Sequence, residues 1–326
     1  QAEDGIRDIV ARLVGSEMCI RDSSKPDYGD LRRGLQPLTS NRILGIVGMA
    51  LGYARGNRAQ ISSIKPSDIR RQDRMLPSLR RTQTLDRLSH LRNQPDEIAK
   101  LMRSNASRFL VVIGGRPVIQ SNLERTDASL NWQDYKTVAP LIAGGANWAF
   151  LGRNVASKLD HFALFLSEND APPAEAPEPT TNSPSYPAVD LRSLAAQGVI
   201  TPDEQSLAGQ ATALAHWHAD TRCCGRCGSK TISDQAGWRR KCWACGRVSF
   251  PRLDPAVIML VTDGERAVLA HEPRFPDNMY STLAGFVDPG DDVVHAVRRE
   301  TFEEVGLEVH DVEFFNSQPW PFPHNL

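Results

Sequence analysis

Residues 284–307 read "AGFVDPGDDVVHAVRRETFEEVGL". Val293, Val297 and Thr301 recur at helical spacing, with Val294 and Val305 flanking them, so the stretch predicts an amphipathic helix. Asp291 and Asp292 stand where cap and first-turn acids are favoured, and Gly306 is placed to end the helix. Before it, "STLA" (281–284) closes an apolar strand, and Gly285 with Asp288-Pro289-Gly290 makes a loop. Glu300, Glu303 and Glu304 fall on one side of the helix, at i, i+3 and i+4. Like charges so placed repel by a few tenths of a kcal/mol per pair. Three gathered carboxylates form an all-oxygen site suited to Mg²⁺ or Mn²⁺. A merely solvated acidic face is the competing reading, and the helix alone does not separate the two.

Around this stretch the chain is ordinary in bulk. Its 326 residues suggest about two domains, and 40% hydrophobic with 24% charged residues is globular composition. A net charge of -1 gives no overall basic surface for nucleic acid. No run of about 18 apolar residues occurs; the best candidate, "ILGIVGMALGYA" (43–54), is too short to span a membrane.

The organisation predicted is α+β. Residues 1–74 read as a non-native or disordered extension. The first 23 resemble adapter-derived peptide, and 24–81 hold twelve Arg and Lys, four Asp and no Glu. An N-terminal α+β domain is expected over 75–168. Within it "RFLVVIGGRPVIQ" (108–120) signals a hairpin about Gly114-Gly115, and "NWAFLGR" (147–153) and "HFALFLS" (161–167) read as strands. A Pro-rich linker (169–188) and a helical connector (189–219) follow, the latter with two helices about Gly198 and an N-cap at Thr201. A zinc ribbon is expected over 220–250. The last segment, 251–326, is read as a C-terminal α/β/α sandwich truncated at its C-terminus.

Five of the six cysteines lie within 23 residues, and Cys19 stands apart. Cys224-Gly-Arg-Cys227 and Cys242-Trp-Ala-Cys245 are fourteen residues apart, each followed by Gly. Two such knuckles complete a tetrahedral sulfur site for one structural Zn²⁺, with no open coordination position. Cys223 is spare, and His216 and His218 read as helix-surface residues. Metal-binding rather than bridged cysteines point to a reducing compartment, and a cytoplasmic protein is expected.

Gly285, Asp291 and "RETFEEVGL" (299–307) together resemble the Nudix box, a loop-helix-loop that binds divalent metal and cleaves a nucleoside diphosphate linked to another group. Asp291 stands where Glu is usual, and Thr301 where a hydrophobic residue is usual. The resemblance implies metal held by Glu300, Glu303, Glu304 and the Ala284 carbonyl, with Glu304 the first choice of essential ligand. It also implies that Arg299 is an orienting residue held by Asp291. The ribbon, then "FPRLDPAVIMLV" (250–261), the box and "SQPWPFPHNL" (317–326) resemble the NADH pyrophosphatase (NAD diphosphatase) family. Its mark for dinucleotides falls here on Gln318, Pro319, Trp320, Pro321, Phe322, Pro323, His324 and Asn325, with Asn325 where Ser is usual. Trp320 and Phe322 make an apolar shelf on which a base could stack. Phe250 is a further stacking candidate.

The expected activity is hydrolysis of NAD(H) to nicotinamide mononucleotide and AMP, extending to NAD caps on RNA, in a homodimer with no membrane partner. Two alternatives remain. One is a Nudix hydrolase of another nucleoside diphosphate such as ADP-ribose. The other is a zinc-ribbon RNA-binding protein with an inactive Nudix domain. The basic run Arg226, Lys230, Arg239, Arg240, Lys241 and Arg247 motivates the second.

Overall fold

The three long strands of the N-terminal half, Ser107–Ile113, Asn147–Asn154 and Asp160–Leu166, carry apolar runs without strict alternation, because their sheet is buried on both faces. The computed structural model describes residues 42–45, 85–121, 128–168, 187–263, 266–271, 275, 280–317 and 319–322. These fall into two compact units: Arg80–Leu253 with Trp320–Asn325, and Asp254–Pro319 with the strand Arg42–Gly45 (β1). Most of the predicted linker, 169–186, lies outside the described residues, as do most of 1–74.

In the first unit a six-stranded sheet contains β2 (Leu85–Asp86), β3 (Ser107–Ile113), β4 (Arg116–Pro117), β7 (Trp132–Gln133), β8 (Asn147–Asn154) and β9 (Asp160–Leu166). The order is β2-β8-β9-β3-β4, with β7 also on β3; β3 and β9 run parallel and the other pairs antiparallel. β5 (Ile119–Ser121) and β6 (Ala128–Leu130) form a separate ribbon. The expected hairpin is present: Val112 pairs with Pro117, and Gly114 and Gly115 turn at φ 56° and 80°, which L side chains rarely adopt.

On one face Phe109, Phe150 and Phe162 pack with Ile98 and Met102 of α1 (Pro95–Arg103) and Val138 of α2 (Tyr135–Ala143). The Phe109 and Phe162 rings stack at 4.9 Å. On the other face Leu110, Leu151 and Phe165 meet α3 (Leu191–Gln197) and α4 (Pro202–Asp220). Gly198 ends α3 at φ 63°, and Thr201 with Glu204 closes a capping box that starts α4. The connector helices share a core with the strands.

The ribbon belongs to the same unit. Its strands β10 (Thr231–Asp234), β11 (Arg239–Cys242) and β12 (Val248–Ser249) form an antiparallel sheet. Trp238 Nε1 donates to Phe150 O at 2.7 Å. Arg240 is 4% exposed; it donates to Asn147 Oδ1, to Thr231 and to His218 Nδ1, the last at 2.8 Å. His218 is 2% exposed and its Nε2 contacts Gly237 O at 2.9 Å. It is a buried anchor for the ribbon, not a helix-surface residue.

Among the described residues the second unit is one mixed sheet and one helix. Its strands are β13 (Ala256–Thr262), β14 (Leu283–Phe286), β15 (Asp311–Phe314) and β1, in the order β14-β13-β1-β15. β1 is antiparallel to β13 and parallel to β15, with Leu44 opposite Leu260 and Glu313. The strand Arg42–Gly45 falls within residues 1–74. Val257, Met259 and Val261 pack with Leu283 and with Ala296 and Val297 of α5 (Val293–Val305). Among the described residues this is the only helix on the sheet.

Candidate functional site

α5 starts where the sequence predicts. Asp292 caps it, its carboxylate accepting from His295 N at 2.7 Å, and Gly306 ends it in the left-handed region at φ 67°. The buried face of the helix is Ala296, Val297 and Thr301. Thr301 is fully buried, and its hydroxyl donates to Val297 O at 2.7 Å. The hydroxyl is satisfied within the helix, so a polar residue fills an apolar position at little cost.

Arg299 is the hub of the site. Nε donates to Asp291 Oδ2 at 3.0 Å, Nη1 to Glu300 Oε1 at 2.9 Å and Glu303 Oε2 at 3.2 Å, and Nη2 to Phe286 O at 2.8 Å. The side chain of Asp291 reaches despite its missing methylene; its other oxygen lies 2.6 Å from His295 Nδ1. Burial works to raise the Asp291 carboxyl, but the Arg299 guanidinium outweighs it and holds the group below its usual range. Glu300 moves the other way: burial raises it, with Arg299 offsetting only part. A half-desolvated carboxylate of this kind is stabilised by more positive charge.

Gly285 faces that carboxylate. A Cβ at this position would overlap Glu300 Cδ and both its oxygens. Glycine here is a requirement of close approach, since its strand register with Val257 is regular. Ala284, beside it in β14, is half-buried, and Glu304 is half-buried on α5. Glu300 and Glu303 are drawn together on Arg299. Among the described residues, however, these acids do not form a group of three with donor atoms within 4.8 Å; only the four cysteines do.

In that cysteine group, Cys224 Sγ is 3.7 Å from Cys245 Sγ, and Cys227 Sγ is 3.5 Å from Cys242 Sγ. Four ligands at about 2.3 Å from a tetrahedral metal would stand about 3.8 Å apart. Amide N–H groups of Arg226 and Cys245 point at Cys224 and Cys242. Hydrogen bonds from Ser229 push the Cys227 thiol down to about 6. The Arg247 amide lowers Cys245, but its contacts with Cys227 and Cys242 outweigh this and push it up to about 11. Thiolates crowded in this way suit a divalent metal. Cys223 is exposed and lies outside the group.

The aromatic run is only partly described: Gln318, Pro323, His324 and Asn325 fall outside. Trp320 and Phe322 meet edge-on at 5.0 Å. Phe322 packs on the core that contains α3 and α4, and Pro321 lies against Gly209 of α4. The Arg192 guanidinium sits 5.0 Å from the Phe322 ring and 6.0 Å from Trp320. Nothing in the local sequence of α3 singles Arg192 out; only the fold brings it to the aromatic pair. Phe250 is 58% exposed and Pro319 is also exposed.

Comparison with known proteins matches residues 252–326 to the NUDIX domain. The chain carries a Nudix domain. Nudix hydrolase 19, chloroplastic, of Arabidopsis thaliana is 50% identical over 123 residues, 36% of this chain and 28% of that protein. NAD-capped RNA hydrolase NudC of Stutzerimonas stutzeri is 47% identical over 128 residues, 39% and 46% of the two chains. NudC of Mycobacterium tuberculosis is 48% identical over 141 residues, 43% and 44%. The chain thus spans less than half the length of these relatives. The Gly285-to-Leu307 segment and its Arg299 hub lie within the matched residues. No helix among the described residues is long and apolar enough to cross a membrane.

Proposed function

We propose that the protein hydrolyses the pyrophosphate of NAD(H) to nicotinamide mononucleotide and AMP, and removes NAD caps from RNA by the same bond cleavage. The observation that carries this is the Arg299 hub, which donates to Asp291, Glu300, Glu303 and the Phe286 carbonyl, with the Glu300 carboxylate against Gly285. The names of the NudC relatives support the substrate class.

Glu300, Glu303, Glu304 and the Ala284 carbonyl would hold Mg²⁺ or Mn²⁺. The donors are hard oxygens, Glu300 is desolvated, and the space beside Gly285 admits its carboxylate. A bound ion would supply charge neutralisation at the two phosphates and a lowered pKa for the attacking water. Arg299 positions Glu300 and is not a base, because its charge is reinforced by Asp291 and Glu300. Asp291 fixes Arg299 in turn. Trp320 and Phe322 offer ring faces to a base, with Arg192 at hand for an anionic group. Cys224, Cys227, Cys242 and Cys245 would hold one structural Zn²⁺. Free thiols at all described cysteines agree with a reducing compartment such as the cytoplasm.

The test is chromatography of products after incubation with NADH, NAD⁺, NAD-capped RNA and ADP-ribose, each in Mg²⁺ and in Mn²⁺. AMP and the mononucleotide from NAD(H) are expected. Cleavage of ADP-ribose in preference to NAD(H) would overturn the substrate assignment.

A further inference from the structure

We propose that the outward face of the cysteine-ribbon sheet is a docking surface for single-stranded RNA, the body of a capped transcript. This rests on capped RNA being a substrate. Cross-strand register sets Ile232 opposite Lys241 and Lys241 opposite Val248, which places the three in one row. All three are exposed, Ile232 by 62% and Val248 by 40%. The neighbouring row, Ser233, Arg240 and Ser249, belongs to the other face, where Arg240 is buried against His218 and Asn147. The ribbon therefore has an anchored inner face and an uncovered outer one within its unit. Trp243, two residues beyond Lys241, is 73% exposed, more than any other large hydrophobic side chain among the described residues.

The charge around this face has one sign. Arg222, Arg226, Lys230 and Arg247 are exposed along with Lys241. Between 221 and 253 the single acid is Asp234, and it is held by both prongs of Arg239. A divalent metal on four thiolates carries two negative charges, which the five exposed cations outweigh. Single exposed hydrophobics are common on protein surfaces; here they form a row, beside an exposed indole, among cations. A polyanion with planar bases complements that combination: the cations meet phosphates and the indole stacks on a base. An apolar protein partner would leave the cations unpaired, and a duplex would offer the indole no free base face.

The experiment uses the full chain and a short, unstructured, fluorescein-labelled oligoribonucleotide without a cap. Anisotropy titrations over a salt series give affinity and its salt slope. Trp243→Ala should weaken binding by about fivefold or more, the loss of one stacked base. Lys241→Gln with Arg247→Gln should lower the salt slope by about 1.4, at about 0.7 per single-strand phosphate contact. Both variants should keep the wild-type metal content and cleave free NADH as before. RNA affinity and salt slope unchanged in both variants would overturn the proposal. So would duplex RNA bound as tightly as the single strand. A third refuting outcome is variants that alter sedimentation but not RNA affinity, which would make the face an interface between two copies. Failure to cleave NADH at all would count against the hydrolase assignment instead, since uncapped RNA binding is read independently of cleavage.

Discussion

Gly285→Ala isolates the closest approach in the site. The new methyl would occupy the space of the Glu300 carboxylate, so one of them must move. The backbone at 285 is regular strand, paired through Val257, and the methyl brings no φ strain. Glu300 is the mobile partner, at the end of a side chain held by Arg299 at 2.9 Å. Making room takes the carboxylate about 1 Å or more from its position. A shift of that size costs on the order of 100-fold in rate, about 2.7 kcal/mol of barrier. The stability loss should be smaller, within the roughly 1–3 kcal/mol typical of overpacking. The assay is steady-state NADH cleavage in saturating Mg²⁺, with circular dichroism and thermal melting as fold controls. The expected result is a fall in kcat at nearly native secondary structure. A kcat within about threefold of wild type, roughly 0.65 kcal/mol, would show that the Glu300 position beside Gly285 is not part of the catalytic arrangement.

Glu304→Gln should remove nearly all NADH cleavage while the melting temperature is kept, because Gln lacks the charge a hard cation needs; turnover within about threefold of wild type would exclude Glu304 as a metal ligand. Cys242→Ser should lower zinc content, measured by atomic emission, and destabilise the fold, whereas Cys223→Ser should change neither, since Cys223 lies outside the sulfur group. Burial drives His218 down to about 4, with the Gly237 hydrogen bond opposing and Arg240 adding to the effect. A histidine buried neutral gives stability that is fully present above its unfolded pKa near 6.5 and is lost as pH falls toward 4, by on the order of 3 kcal/mol. Denaturant melts of wild type and His218→Gln between pH 7 and 4 check this, and the variant should show a shallower decline. Deleting residues 1–74 should destabilise the Nudix sheet if β1 holds its slot between β13 and β15; an unchanged melting temperature would return that segment to the status of an extension.

Much of the fold was legible because its signals are local. The Gly114-Gly115 turn, the Thr201 capping box and the Gly306 stop each depend on one or two residues in a required conformation, and each is present. The paired knuckles were legible for the same reason, since spacing alone brings four sulfurs together. Long-range features were not. β1 joins its sheet through backbone pairing with residues more than 200 positions away, and main-chain hydrogen bonds carry little side-chain signature. The site is divided likewise. Asp291 and Arg299 could be paired from the motif, but the Phe286 carbonyl enters only through the fold; in the other unit the same holds for Arg192 against Phe322.

His218 shows why a sequence pattern misassigns such residues. Two histidines near the end of a helix, just before a metal motif, suggest either ligands or solvent-facing side chains. Neither describes a ring that sits between Arg240 and the Gly237 carbonyl. Arg240 is buried and donates to neutral acceptors on Thr231, Asn147 and His218. A buried cation so placed needs every acceptor it can reach, and His218 can accept through Nδ1 only while that nitrogen is unprotonated. The Gly237 carbonyl accepts a hydrogen bond from Nε2–H, which fixes the tautomer that leaves Nδ1 open. The ribbon is thus joined to the sheet by a chain of dependent hydrogen bonds, from Gly237 through His218 and Arg240 to Asn147. Removing the imidazole acceptor leaves a buried guanidinium short of a partner, which costs more than the one hydrogen bond lost. Anchorage of the inner face in this way is what leaves Lys241 and its row turned outward.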